Sequence, residues 1–210
     1  MTTPSEDFWE QHYRSADHDH GHDDDVHGPG RGPNEVLVAT VADLPPGRAV
    51  DLGCGYGGDA LWLAARGWRV TAVDVSATAL ARAATAAAAA GLELRTERHD
   101  LSVSLPDVTG DLVTACYVHT PVDVDREAML RRGGQLVAPG GRLVVVEHAS
   151  TAPWMSSDAD TVWPTPEQTR DAIGLVGWVS ERCERVRRTV TGPGGVTAEV
   201  TENLLVLRRP

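Results

Sequence analysis

Apolar and polar positions along this chain follow two periods, one typical of helices and one typical of strands, and the two alternate. Residues 34–44 carry apolar side chains at helical spacing, and the sequence PPG separates them from the short apolar run RAVDLG. Thr165 and Pro166 form a typical start for the last of the helices. Helices are expected at 34–44, 57–67, 77–91, 125–137 and 165–177, and strands at 48–53, 68–74, 92–100, 110–119 and 141–148.

Strands that alternate with helices predict a fold of the α/β class. Short, nearly continuous apolar runs are typical of parallel strands covered on both faces, so we expect a doubly wound, Rossmann-like sheet. The chain closes with two β-rich stretches, 178–190 and 195–209, around the turn TGPGG. The prediction is therefore a mostly parallel seven-stranded sheet with an antiparallel C-terminal strand.

The N-terminal segment differs from this pattern. Residues 5–14, SEDFWEQHYR, place aromatic side chains on one stripe of a short amphipathic helix that Ser5 is expected to cap. The glycines and prolines of GPGRGP cannot continue a helix, so residues 15–33 are expected to form a long connection. We therefore divide the chain into residues 1–33, a helix with a connecting loop, and residues 34–210, a single globular domain.

The composition narrows the partners of this chain. The formal net charge is −11, and five aspartates between residues 17 and 25 contribute −5 of it. An acidic protein is a poor candidate for binding nucleic acid or anionic lipid, because like charges repel, so we expect a small-molecule substrate. Three cysteines without framework spacing, and no apolar run long enough to span a bilayer, predict a cytoplasmic protein. The sequence leaves the oligomeric state open.

The candidate chemistry begins where the first predicted strand ends, in DLGCGYGG at 51–58. Its glycines allow a tight turn and a close approach of a ligand to the backbone, but their spacing also fits the dinucleotide-binding pattern G-x-G-x-x-G. Asp51 precedes the first glycine, where it would repel a pyrophosphate and attract a cationic ammonium group. Asp74 ends the second strand, where a carboxylate can accept hydrogen bonds from both hydroxyls of a ribose, and Asp100 follows the third strand.

Together these motifs resemble those of the class I methyltransferases that use S-adenosylmethionine. VDLGCGYG is similar to the first motif of that family, VTAVDVS to the second and HDL to the third. GDLVTACYVH and APGGRLVVVEH are similar to its fourth and fifth strands, so the resemblance covers residues 34–208. The start FWEQHYR and the stretch GGDALWLAARGWRVTAVDVS look most like the small tellurite-resistance and thiol-type members. The resemblance makes residues 34–210 the methyltransferase domain.

The resemblance implies a site for S-adenosylmethionine, built from the strand ends and covered by the first helix. Arg14 is the candidate partner of the cofactor's carboxylate, and Trp9 is expected to close over the cofactor beside it. The implied cofactor-binding residues are Asp51, Gly53, Cys54, Gly55 and Tyr117 at the methionine moiety, Asp74 at the ribose, Val75, Asp100 and Leu101 at the adenine, and Tyr13 and Arg14 in the cover.

The implied reaction is the transfer of a methyl group to a small molecule, which needs alignment and a dry pocket. A thiolate or a chalcogen oxyanion needs no strong base, whereas a hydroxyl or an amine needs a group that accepts its proton. The catalytic candidates are His119, at the end of the fourth strand, and Glu147 and His148, at the end of the fifth. Residues 149–164 carry two tryptophans and a methionine, and form either a wall of the substrate site or packing against the first helix.

The block ADHDHGHDDDVHG at 16–28 places His18, His20, His22 and His27 among aspartates. Alternating histidines could present imidazoles on one side of an extended segment and bind a divalent metal such as Zn²⁺, Ni²⁺ or Cu²⁺. Since the block lacks cysteines and helical spacing, three interpretations stay open: a solvated loop, opportunistic metal binding and a metal required for catalysis. Two rival functions also stay open, a nucleotide-dependent oxidoreductase and a metal-binding protein on a methyltransferase-like fold.

Overall fold

The computed structural model describes residues 2–15, 32–119, 121–155 and 162–210, which contain six α-helices and seven β-strands. His18, His20, His22 and His27 lie outside the described residues. The helices are α1 (Pro4–Ser15), α2 (Glu35–Val41), α3 (Gly58–Ala65), α4 (Ala77–Ala89), α5 (Arg126–Gly133) and α6 (Pro166–Ile173). The strands are β1 (Arg48–Leu52), β2 (Arg69–Asp74), β3 (Arg95–Arg98), β4 (Gly110–Cys116), β5 (Val137–His148), β6 (Val179–Thr191) and β7 (Thr197–Arg208).

The seven strands form one sheet in the order β3-β2-β1-β4-β5-β7-β6. The pairs among β1 to β5 are parallel, and β7 runs antiparallel to both β5 and β6. The predicted Rossmann-like sheet with an antiparallel C-terminal strand is therefore confirmed. Because the strand order reverses between β1 and β4, a crevice opens at the carboxyl ends of these strands, where open α/β sheets bind ligands.

Apolar side chains pack on both faces of the sheet. In β5, Leu143 and Val145 join the cluster that α5 and α6 cover, whereas Val144 and Val146 join the cluster on the other face, with α2 and α3. All four side chains are fully buried. Burial on both faces explains why the strand sequences are continuously apolar rather than alternating.

Side-chain caps fix where most of the helices begin. The predicted start of α6 is confirmed, because Thr165 caps it and Pro166 is its first residue. The predicted cap of α1 is wrong: the helix begins earlier, and the Glu6 amide donates a 3.1 Å hydrogen bond to Oγ1 of Thr3, which leaves Ser5 inside the first turn. The other capped helices begin after Asn34, Ser76 and Asp125.

None of the described helices is long and apolar enough to cross a membrane.

Candidate active site

Two cavities open at the carboxyl ends of the strands, beneath α1. The first lies against the ends of β2, β3 and β4, and the second, of about 850 Å³, extends from the end of β1 towards α2, α3 and β6. A volume of this size is typical of small-molecule sites. Of the candidate residues, Asp74, Val75, Asp100, Leu101 and His119 line the first cavity, Asp51, Cys54 and Gly55 line the second, and Tyr13, Gly53 and Tyr117 line both, as does Trp9.

The glycine turn after β1 brings the backbone close to α1. Gly53 and Gly55 have φ angles of +67° and +51°, in the left-handed region that favours glycine. A Cβ atom at Gly55 would lie 2.9 Å from the hydroxyl oxygen of Tyr13, so a side chain at this position would displace the Tyr13 ring. The amides of Gly53 and Cys54 both donate to the carbonyl of Val73, at 2.8 and 3.0 Å, which ties the turn to β2.

Asp51, on β1, is buried at the floor of the second cavity. Its Oδ1 accepts a 2.7 Å hydrogen bond from Oγ1 of Thr114, whereas Oδ2 is buried without a partner in normal hydrogen-bond geometry among the described residues. Burial, and then the charge of nearby Asp59, raise the pKa of Asp51 well above its ordinary value. A cationic ligand group beside Oδ2 would offset both effects.

Asp59, in the first turn of α3, is a site residue that the sequence patterns did not indicate. It lines the second cavity and accepts a 2.6 Å hydrogen bond from the amide of Asn34. Burial raises its pKa, although the Asn34 amide and the thiol of Cys116 lower it in part by donating hydrogen bonds. Burial also raises the pKa of the Cys54 and Cys116 thiols, so both stay protonated and neither is an activated nucleophile.

Asp74 lies where β2 ends and is buried at the edge of the first cavity. Its Oδ2 accepts a 2.9 Å hydrogen bond from the Gly55 amide, and its Oδ1 accepts one of 2.9 Å from the Ser76 amide. Burial raises the pKa of Asp74, although these amides lower it in part. Each carboxylate oxygen has a further lone pair, so Asp74 can still accept hydrogen bonds from a ligand.

Asp100 follows β3 and lines the first cavity together with Leu101. Its Oδ1 accepts hydrogen bonds from the amide and hydroxyl of Ser102, at 2.9 and 2.6 Å, and its Oδ2 accepts one from the hydroxyl of Thr3. Burial raises the pKa of Asp100, but these hydrogen bonds outweigh burial and the pKa lies below its ordinary value. Asp100 is therefore ionised at neutral pH.

α1 covers the site and is fastened to it by polar side chains. Glu10 accepts hydrogen bonds of 2.7 Å from the hydroxyls of Ser76 and Thr78 at the start of α4. Glu6 forms an ion pair with Arg98 at the end of β3. These contacts hold Trp9 and Tyr13 over the strand ends, where both line the two cavities.

Arg14 does not reach either cavity. Its Nε donates a 2.9 Å hydrogen bond to Oε1 of Glu10, and its side chain is 72% exposed. Successive residues of a helix point about 100° apart, so a helix that turns Tyr13 inwards directs Arg14 towards solvent. The expectation that Arg14 binds a cofactor carboxylate is not supported by this placement.

An aromatic cluster closes the site beyond β4 and β5. The ring of Tyr117 stacks on His148 with centroids 4.2 Å apart, and His119 stacks on His148 at 5.6 Å. Trp163 stands edge-on to both imidazoles, at 5.7 and 5.8 Å. Since His119 lines the first cavity and His148 does not, His119 is the better placed of the two candidate bases. Trp163 packs against both imidazoles but lines neither cavity, so the choice between a site wall and packing for this segment stays open.

Glu147 lies outside both cavities and is fully buried. Its Oε1 is 2.6 Å from Nη2 of Arg126, and its Oε2 accepts a 3.0 Å hydrogen bond from Thr169. Neighbouring residues of a strand point to opposite faces of the sheet, so Glu147 points towards α5 and α6 while His148 faces the site. This placement corrects the expectation that Glu147 acts as a base.

No group of three or more side chains that could hold a metal ion occurs within the described parts of the chain. The four histidines of the block at 16–28 fall in the part that is not described, so the structure lends the metal prediction no support.

The strand order of the sheet matches the Rossmann-like fold of the class I methyltransferases. Residues 49–141 match the family described as a methyltransferase domain. Ribosomal RNA small subunit methyltransferase C of Chromohalobacter salexigens is 33% identical over 146 residues, which are 67% of this chain and 39% of that protein. The chain thus spans 39–40% of the length of the curated relatives of this name.

Solved structures share the fold over most of the chain. The structure described as "Conversion of a Disulfide Bond into a Thioacetal Group during Echinomycin Biosynthesis" has a TM-score of 0.68 and 25% identity, and the match covers 85% of this chain and 83% of that chain. TehB from Haemophilus influenzae has a TM-score of 0.67 and 17% identity, over 84% and 62%, and shares the fold alone. Together these findings support an S-adenosylmethionine-dependent methyltransferase and favour neither the oxidoreductase nor the metal-binding protein.

Proposed function

We propose that this protein transfers the methyl group of S-adenosylmethionine to a small molecule. The observation that carries the proposal is the convergence of three strand-end carboxylates, Asp51, Asp74 and Asp100, on two adjoining cavities beneath α1. When bound, S-adenosylmethionine supplies a methyl group made electrophilic by a positively charged sulfur. Residues 34–210 are the catalytic domain in this proposal, and residues 1–33 contribute its cover and a connection.

The cofactor roles follow from the placement of the side chains. Asp51, whose Oδ2 has no partner in normal hydrogen-bond geometry among the described residues, would accept hydrogen bonds from the ammonium group of the methionine moiety. Asp74, with free lone pairs at the first cavity, would accept hydrogen bonds from the ribose hydroxyls. Asp100 would accept from the adenine amino group, between the apolar surfaces of Val75 and Leu101.

We propose that the acceptor is a thiol that binds against Tyr117 and His119. Asp100, which is ionised at neutral pH, lies at the first cavity, and its negative charge disfavours a chalcogen oxyanion and favours a neutral nucleophile. His119 would accept the proton of the thiol as the sulfur attacks, and the aromatic cluster behind it would exclude water. The structural neighbour that is 25% identical is described by the conversion of a disulfide bond into a thioacetal group. This is sulfur chemistry, and it supports a thiol acceptor over an acceptor of the tellurite-resistance type.

Calorimetric titration with S-adenosylmethionine tests the cofactor proposal, with NADH and Zn²⁺ as the comparison ligands. We expect binding of S-adenosylmethionine alone, and a loss of at least about tenfold in affinity for Asp74→Ala, because a buried charged acceptor is removed. Asp107→Ala, at an exposed position away from the cavities, is the matched control. Intact, folded protein that does not bind S-adenosylmethionine would refute the proposal.

Release of S-adenosylhomocysteine identifies the acceptor. The panel is phenylmethanethiol, phenol, benzylamine, selenite and an RNA oligonucleotide, the last because the curated relative is named for ribosomal RNA. We expect turnover with phenylmethanethiol, an alkyl thiol that is protonated at neutral pH, and a lower kcat for His119→Gln. Turnover with RNA alone would replace the small-molecule proposal and leave the cofactor proposal intact.

A further inference from the structure

Tyr117 has an unusual backbone conformation. It follows β4 directly, and its φ of +52° is the only positive φ at a non-glycine residue among the described parts of the chain. Its amide donates a 2.8 Å hydrogen bond to the carbonyl of Val146, and its own carbonyl accepts one of 2.7 Å from the amide of His119. Left-handed backbone at a bulky residue is strained and persists only where the surroundings fix it.

The closing hairpin of β6 and β7 fixes the phenol of Tyr117. The hydroxyl donates a hydrogen bond to Oε1 of Glu202, on β7, and Arg188, on β6, donates to the Tyr117 hydroxyl at 3.1 Å. Arg188 also binds Glu202 through two nitrogen atoms, at 2.8 Å from Nε and 2.7 Å from Nη2. Burial, and then the charge of Glu202, raise the pKa of Tyr117, so the phenol stays protonated and remains the donor.

This arrangement is more elaborate than anchoring a hairpin requires. The side chain of Glu202 is 1% exposed and that of Arg188 is 19% exposed, and a buried ion pair stabilises a fold no better than apolar packing of the same volume. β6 and β7 are already joined by pairs along their whole length, and β7 is paired to β5. The ion pair is therefore better explained by what it holds than by hairpin stability.

We propose that Arg188 and Glu202 are positioning residues that fix Tyr117 as the wall between the two cavities, where the cofactor's methyl group and the acceptor meet. The proposal rests on the proposed function. Tyr117 lines both cavities, and its carbonyl holds the backbone of His119, so a displaced Tyr117 disturbs both the methyl donor and the proton acceptor. Because transfer depends on alignment, the loss is expected in kcat rather than in cofactor affinity.

Arg188→Gln removes the guanidinium group that binds both Glu202 and the Tyr117 hydroxyl. With phenylmethanethiol as the acceptor, we expect kcat to fall about tenfold to a hundredfold while the KM for S-adenosylmethionine changes less than about threefold. Arg188→Lys, which keeps the charge and one hydrogen bond, is expected to recover part of kcat. Arg187→Gln, at the exposed neighbouring position on β6, is the matched control and is expected to keep wild-type kcat.

A second measurement needs no acceptor. In the proposed site, only the positively charged sulfonium of S-adenosylmethionine, and not the neutral sulfur of S-adenosylhomocysteine, gains a cation–π attraction from the Tyr117 ring. Displacing the ring is therefore expected to raise the dissociation constant of S-adenosylmethionine relative to that of S-adenosylhomocysteine at least about threefold in Arg188→Gln. Glu202→Gln and Tyr117→Phe, which keep side-chain volume, are expected to change it in the same direction, and they carry the test if Arg188→Gln fails to fold.

The outcomes separate the two proposals. Folded variants with wild-type kcat and an unchanged ratio of dissociation constants would overturn the positioning role. The positioning role would also be overturned if Arg188→Lys and Arg188→Gln lose activity only in proportion to their loss of thermal stability, and if kcat and KM change together in both. Wild-type protein that does not bind S-adenosylmethionine would instead refute the proposed function, before any variant is compared.

Discussion

Oε2 of Glu10, in α1, accepts a 2.7 Å hydrogen bond from Oγ of Ser76, at the start of α4. The same Ser76 donates its amide to Oδ1 of Asp74, at 2.9 Å. One residue therefore links the helix that covers the site to the carboxylate proposed to bind the ribose. Through this link, the attachment of α1 and the geometry of Asp74 depend on each other.

Glu10→Gln is expected to weaken the binding of S-adenosylmethionine about threefold to tenfold. The neutral amide keeps the size of the side chain but weakens hydrogen bonds that are strong because the acceptor is charged. Calorimetric titration checks the affinity. Asp7→Asn removes one negative charge from an exposed position of the same helix and is the matched control. Equal losses in the two variants would show that net charge, rather than attachment of α1, causes the effect.

The contribution of Glu10 to stability is expected to disappear in acid. Burial raises its pKa, but the hydrogen bonds from Ser76 and Thr78 outweigh burial and lower it from 4.5 to about 2. A carboxyl whose pKa is lower in the folded state stabilises the fold fully above its unfolded pKa, and this stabilisation is lost as pH falls through the folded pKa. The window is therefore pH 4.5 down to about 2.

Denaturant unfolding of wild-type protein and Glu10→Gln across this range measures the difference in the free energy of unfolding. We expect a constant difference above pH 4.5 that narrows as the pH falls towards 2. Asp7→Asn again supplies the comparison. A difference that stays the same throughout the window would mean that the charge of Glu10 does not fasten α1.

The sheet and its strand-end carboxylates can be predicted because each depends on local sequence. The apolar runs locate β1 and β2, and parallel strands bring their carboxyl ends to one edge of the sheet. Asp51 and Asp74 therefore come to adjoining cavities without any knowledge of tertiary contacts. Asp59 could not be predicted as a site residue, because an acid in the first turn of a helix is equally explained by the helix dipole.

Contacts between distant segments could not be predicted from local sequence. Nothing in the residues around Glu10 indicates that its partner Ser76 lies 66 positions further along the chain. Glu147 and His148 show the same limit at a strand end. The sequence places both there, but only the tertiary structure shows that Glu147 forms a buried ion pair with Arg126 of α5, whereas His148 stacks on Tyr117.

Asp51→Asn is expected to stabilise the protein and to weaken the binding of S-adenosylmethionine at least about tenfold. Burial, and then Asp59, raise the pKa of Asp51 in the folded state, so its ionisation at neutral pH opposes folding. The neutral amide removes this opposition, and a gain of about 1 kcal/mol in the free energy of unfolding is expected at pH 7. The gain should vanish as the pH falls below 3.8, where the unfolded carboxyl is also protonated.

Thermal unfolding and calorimetric titration of the same samples check both halves of this prediction. Asp43→Asn, at an exposed position after α2, is the control for the change in net charge and is expected to alter neither property. If Asp51→Asn lowers stability at pH 7, the carboxylate is satisfied within the protein and is not waiting for a cationic group.

Glu147→Gln is expected to lower stability and spare kcat, whereas His119→Gln is expected to lower kcat and spare stability, although both residues lie at strand ends. Glu147→Gln leaves the guanidinium of Arg126 without its buried counter-charge, 2.6 Å away, so the free energy of unfolding should fall by roughly 3 kcal/mol or more. In the fraction that stays folded, kcat should be close to wild type, because Glu147 touches neither cavity.

His119 lies at the first cavity, and His119→Gln should keep the stability of the wild type and lose kcat about tenfold or more. Chemical unfolding and turnover with phenylmethanethiol, measured on the same preparations, give both quantities. A large loss of kcat in stable Glu147→Gln protein would return that carboxylate to the catalytic site, and unchanged turnover in His119→Gln would leave the acceptor's proton to another group.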